Sequence, residues 1–154
     1  MNFDAVDSNR LSGGAVGVLD LRQDHRVLHD LLCRFEQLDD YAARRDVMQL
    51  VTDLFEVHSA IESLTRRDSF ELLRECEAVH ELLEQVEASD PASQQHFARG
   101  LELSRAFDAY IANEESMVDD AAFVSLHRLA PHNAALLRER SRLMDYAERL
   151  LRLH

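Results

Sequence analysis

The 154-residue sequence predicts an all-α protein, an up-and-down antiparallel four-helix bundle with one additional C-terminal helix. Three observations carry this. The chain has only 4 Gly and 2 Pro, too few for a sheet protein full of tight turns. Its apolar residues recur with a period of about 3.6 residues through long unbroken stretches. The links between the first four stretches are short, which makes successive helices antiparallel neighbours.

Residues 1–15 are polar, contain Gly13-Gly14 and show no sustained period, so a flexible tail is expected there. The first helix is expected over 16–38, with Leu21, His25, Leu28, Leu32, Phe35 and Leu38 on one face. Asp39-Asp40 ends it. The second, over 42–65, turns Val47, Val51, Leu54, His58, Ile61 and Glu62 inward, and Arg66-Arg67 suits the negative end of its dipole. Asp68 or Ser69 then caps a third helix that carries Leu73, Cys76, His80 and Leu83 inward and stops near Ala88. Ser89-Asp90-Pro91 reads as a cap with proline at the first helical position. The fourth helix, over 91–118, aligns Leu103, Phe107, Tyr110, Glu114 and Met117. Residues 119–154 form a connector, with a short helix expected over 119–126, and a last helix over 131–153. Its stripe of Leu136, Leu143, Ala147 and Leu150 is expected to pack on the bundle of residues 16–118.

Composition narrows the function classes. With 17 basic and 29 acidic residues the net charge is −12, which opposes binding to nucleic acid or anionic lipid. No apolar run reaches the roughly 18 residues needed to cross a bilayer, and the start of the chain lacks the pattern of a signal peptide, so a cytoplasmic protein is expected. Cys33 and Cys76 are too few for a disulfide framework and read as reduced residues of the core.

Each of the first four helices places a polar, metal-competent side chain where its period calls for a hydrophobe. These are His25, then His58 and Glu62, then His80, then Tyr110 and Glu114. One inward histidine is ordinary; buried carboxylates cost several kcal/mol unless a cation or an ion-pair partner compensates them. His58 and Glu62, like Tyr110 and Glu114, are four residues apart and so project from one helix face about one turn apart. The two pairs are offset by 52 residues (58 to 110 and 62 to 114), which reads as a helical hairpin used twice. Such pseudo-twofold ligation suits two metal ions bridged by the glutamates, and the donors favour iron, with manganese second.

In these residues the sequence resembles the hemerythrin-like (HHE domain) family. The likeness rests on Asp24-His25, His58-x-x-x-Glu62, His80 and Tyr110-x-x-x-Glu114-Glu115, and covers residues 16–118. It implies a non-haem diiron centre, oxo- or hydroxo-bridged, with His25, His58, Glu62, His80, Tyr110 and Glu114 as metal ligands. Two departures stand out. The family usually has His at the position of Tyr110, and its oxygen carriers have His where this chain has Glu84. The resemblance therefore implies redox chemistry with hydrogen peroxide, oxygen or nitric oxide, as in a peroxidase, a catalase-like enzyme or a nitric-oxide-processing oxidoreductase, rather than reversible oxygen transport. The alternative is a module that binds or senses iron, oxygen or NO without turnover. The expected oligomeric state is a monomer or weak homodimer.

Tyr110 has two readings: a phenolate ligand to ferric iron, or a phenol that fills the space with its hydroxyl on a neighbouring carboxylate. Glu84 and Glu115 are further candidate ligands. His29, four residues after His25, is a candidate supporting residue, whereas His96, His127, His132 and His154 are assigned to packing or solvent.

Overall fold

Leu38 leaves helical geometry at φ −78°, ψ 138°, and the break it makes turns the chain between the first two helices. Arg34 O still accepts from Leu38 N at 3.1 Å, while Asp40 Oδ2 accepts from Ala43 N at 3.1 Å and opens the next helix. The computed structural model describes residues 18–65, 70–117 and 123–153. Its elements are β1 (Val18–Asp20), α1 (Arg22–Gln37), α2 (Tyr41–Thr65), α3 (Phe70–Ala88), α4 (Gln94–Met117), β2 (Phe123–Ser125) and α5 (Leu126–Arg152). The described elements are thus helices and one two-stranded ladder. No helix among them is long and apolar enough to cross a membrane.

α1 packs against α2 and α4, α3 lies mainly along α4, and α5 lies across α1 and α2. The core is continuous through Leu28, Leu32, Phe35, Val51, Leu54, Ile61, Leu103 and Phe107, with Leu143 and Ala147 brought in from α5. Leu136 and Leu150 pack at its edge. Arg34 also donates to the Leu151 carbonyl at 3.0 Å, fixing the end of α5 to α1.

Several expectations change here. The first helix begins at Arg22, because Val18–Asp20 pairs antiparallel with Phe123–Ser125 in the register Val18↔Ser125, Leu19↔Val124, Asp20↔Phe123. Residues 123–125 are therefore strand, and not part of a short helix. The fourth helix begins at Gln94, not Pro91: Asp90 Oδ1 accepts from Ala92 N at 3.0 Å, which commits Pro91 and Ala92 to a turn. Ser93 Oγ then caps the helix by accepting from His96 N at 3.1 Å. The last helix starts at Leu126 and is interrupted at Asn133 (φ −131°, ψ 26°), close to the expected start at residue 131. On α3 the buried line is Val79, Leu83 and Val86; Leu73 is exposed and Cys76 and His80 are half-buried. The tail 1–15, the pair Arg66-Arg67, the caps Asp68 and Ser69, residues 119–122, His154, and the side chains of Met117 and His127 lie outside the described residues.

Gly100 marks the tightest helix contact. A Cβ there would overlap Phe35 Cε1 and stand 2.6 Å from Phe35 Cζ, and that ring is fully buried and stacked on Phe97. Gly100→Ala is expected to cost about 1–2 kcal/mol in urea unfolding, because overpacking outweighs the helix propensity gained. A stabilised variant would show that the ring can move aside.

Candidate metal centre

The metal-competent residues on α1, α2 and α4 converge inside the helices. His25, His58, Glu62 and Glu114 are all buried, and each offers a ligand atom within 4.8 Å of the others. α1 supplies His25 one turn after its start, and α2 supplies His58 and Glu62 from one face. α4 supplies Glu114 and, one turn earlier, Tyr110. The two imidazoles meet edge to face with centroids 4.9 Å apart.

Each imidazole is held from behind by a carboxylate. His58 Nδ1 donates to Asp24 Oδ2 at 2.9 Å, and His25 Nδ1 faces Glu115 Oε1 at 3.1 Å. An ionised carboxylate only accepts, so each ring keeps a proton on Nδ1 and Nε2 is the atom left to meet the cluster. The Nε2 atoms point into the cluster. His25 Nε2 lies 3.4 Å from Glu114 Oε1 and His58 Nε2 lies 3.4 Å from Glu62 Oε1. Neither nitrogen makes an aligned hydrogen bond, although both are buried. A buried polar atom left so costs about 1–3 kcal/mol. Two imidazoles fixed at Nδ1 with Nε2 turned toward two buried carboxylates form the arrangement that a metal ion requires of its ligands and their supports. The nitrogen and oxygen donor set could hold a metal ion.

The electrostatics are coupled. Burial works against a charge on His58, but the hydrogen bond to Asp24 and the close carboxylates of Asp24 and Glu62 outweigh it and hold its pKa up at about 10. Burial likewise raises the Glu62 carboxyl, yet the His58 interaction dominates and keeps it well below the usual carboxylate range. The Tyr110 hydroxyl donates to Glu62 Oε2. Burial, together with the negative charges of Glu62 and Glu114, pushes the phenol far above its ordinary value. Of the two readings of Tyr110, the geometry displays the phenol bound to a neighbouring carboxylate.

The remaining candidates separate. His80 does not join the converging donors: with Val79, Leu83 and Val86 forming the inward line of α3, its ring turns against Phe55, edge to face at 4.8 Å. Phe55 also meets Tyr110 edge to face, with ring centroids 6.0 Å apart. Glu84 is exposed. Glu115 supports His25 from a half-exposed position. His29 is exposed, pairs with Asp108 at 3.2 Å and contacts Cys33 Sγ at 3.5 Å, away from the cluster. That Cys–His–Asp row does not favour a thiolate, since burial and the acidic neighbours Glu36, Asp30 and Asp108 push the Cys33 thiol up. His96 is a packed histidine, with Nδ1 3.0 Å from Ser89 Oγ and the ring against Phe35, and His132 is exposed.

Sequence reasoning missed Arg140. It is 5% exposed, and both its Nε and a terminal nitrogen donate to Asp24, the Nε distances being 2.9 and 3.2 Å. The signal was present: a charged residue one turn after Leu136 on the apolar stripe of the last helix, the same anomaly that singles out His58 and Glu62. No family model, curated protein or solved structure matches the chain.

Proposed function

We propose that this chain is a hemerythrin-like non-haem iron protein. In this reading α1 to α4 form the up-and-down four-helix bundle of that family, and His25, His58, Glu62 and Glu114 would hold two iron ions. Its chemistry is redox reaction with hydrogen peroxide, oxygen or nitric oxide rather than reversible oxygen carriage. The observation that carries the reading is the convergence of His25, His58, Glu62 and Glu114, with each imidazole fixed at Nδ1 and its Nε2 turned inward. His80, whose ring turns against Phe55, and Tyr110, whose hydroxyl donates to Glu62, stand outside this proposed ligand set.

Bound iron would supply the electrons exchanged with the small oxidant. The chain itself does the rest. His25 and His58 present neutral donors, the two glutamates balance the positive charge, and burial of the cluster keeps bulk water out. Tyr110 keeps a proton at Glu62 Oε2, ready for transfer to a reduced oxygen or nitrogen species.

One observation favours the second reading, a sensing module without turnover: Arg140 ties α5 to the carboxylate that holds His58. Peroxide consumption separates the two. The iron-loaded protein is expected to consume many equivalents of peroxide per chain, and Tyr110→Phe to slow this roughly 10²-fold while keeping iron and the visible spectrum of the oxidised form. Consumption that stops near one equivalent supports the sensing module. Loss of a visible charge-transfer band in Tyr110→Phe would instead make the phenol a ligand.

A further inference from the structure

We infer that Arg140 is a positioning residue that holds His58 in ligating orientation through Asp24; the inference rests on the metal-centre reading above. Arg140 comes from α5, beyond residues 16–118 that carry the family resemblance. Its side chain is 5% exposed, and Asp24 and His58 are fully buried, so the three groups form a dry chain.

The geometry of Asp24 explains how the effect passes on. Arg140 Nε reaches Oδ1 at 2.9 Å and Oδ2 at 3.2 Å, while a terminal nitrogen of the same guanidinium donates to Oδ1. The planar fork thereby fixes the plane of the carboxylate. Oδ2, held in that plane, takes the His58 Nδ1 proton at 2.9 Å. With both oxygens committed, the His58 ring cannot rotate about its side chain without breaking a buried, charge-assisted bond, and Nε2 stays turned toward Glu62 Oε1 at 3.4 Å. His25 lacks such rigidity, because its carboxylate, Glu115, is 45% exposed. The two imidazoles are thus held unequally, and His58 depends on a helix outside the bundle.

Removing the fork should free Asp24, loosen the ring and weaken metal binding by about 10–100-fold, the usual effect of losing a group behind a ligand. Lysine keeps the charge without the fork, so its loss should be smaller.

Two measurements on the full-length protein test this. The first is titration of the metal-free protein with cobalt(II) alone; the second is the NMR signal of the His58 Nδ1 proton in the absence of metal. Leu143→Ala controls for simple loosening of α5, since Leu143 is buried on the same helix and does not touch Asp24 through a polar group. Arg140→Met is expected to lose about 10–100-fold in cobalt affinity and to lose or broaden the His58 signal, with Arg140→Lys intermediate and Leu143→Ala close to wild type. Where Arg140→Met does not fold, Arg140→Lys reads the same two signals. Unchanged cobalt affinity in the folded Arg140 variants, or an equal loss in Leu143→Ala, overturns the positioning role. If the wild-type protein takes up no cobalt, the metal-centre reading fails by itself, and the ring signal decides the positioning role: its persistence in both Arg140 variants overturns that as well.

Discussion

Asp24→Ala is expected to cost the metal-free protein about 3–5 kcal/mol in urea unfolding at about pH 6, the loss typical of breaking a buried ion pair from one side. Asp24 is fully buried between two cationic partners, Arg140 and the His58 imidazolium, and its removal strips the buried guanidinium of this carboxylate and leaves His58 with Glu62 alone. The exposed pair Arg142–Glu139 is the contrast: at 64% and 44% exposure, solvent screening leaves little for its loss to change.

The pH dependence follows from the same groups. Burial raises the Asp24 carboxyl, but the His58 hydrogen bond and the Arg140 charge prevail and hold it below its ordinary 3.8. A depressed carboxylate stabilises the fold above its unfolded pKa, and that contribution is lost as pH falls through the folded value. The raised group behaves oppositely. His58 contributes fully below 6.5 and loses its contribution as pH rises from 6.5 to about 10. Metal-free protein should therefore be most stable on the mildly acidic side of neutrality and weaken toward alkaline pH, and Asp24→Ala should flatten much of the alkaline decline. A variant within 1 kcal/mol of wild type, roughly the yield of a surface pair, would remove Asp24 from the role assigned to it.

Metal binding is expected to raise the melting temperature by about 5–10 °C when the free ion exceeds its dissociation constant a hundredfold, a gain of about 2.7 kcal/mol spread over a chain of this size. The increment should grow with pH up to about 10, because the ion must displace the His58 proton. Apparent affinity should fall about tenfold for each pH unit of acidification across that range. Glu62→Gln should remove the increment: it retains an oxygen for the Tyr110 hydroxyl but gives up the negative charge beside His58. An increment that survives in Glu62→Gln would place the ion elsewhere.

Much of this arrangement was legible in the sequence, because helix period and burial are coupled. The spacing of Val47, Val51, Leu54, His58, Ile61 and Glu62 identified the buried face of α2 residue by residue, and all six are buried. The same rule brought His25 and Glu114 inward. It failed on α3, where Leu73 begins a plausible stripe yet stays exposed while Val79, Leu83 and Val86 are buried. A period fixes the width of an apolar face more firmly than the rotation of a helix against its neighbours, and His80 was misjudged with that rotation. The ladder of Val18–Asp20 with Phe123–Ser125 was beyond reach, since three-residue strands carry too little alternation to stand out and pair only through a contact distant in sequence. Pro91 misled because Asp90 spends its side chain on a turn and Ser93 takes over the cap. Arg140 followed the rule that exposed the histidines and glutamates, but it is not a metal ligand and so was passed over.

Elemental analysis decides whether His25, His58, Glu62 and Glu114 form a metal centre. The protein would be loaded with ferrous iron without air, freed of unbound metal, and compared with Glu62→Gln and Glu114→Gln variants of verified helix content. Two irons are expected per wild-type chain, with loss of both in either variant, because each glutamate is proposed to bridge. Wild-type protein that retains no more iron than the two variants would contradict the metal centre, and the buried quartet would then stand as an ion-pair network of the fold.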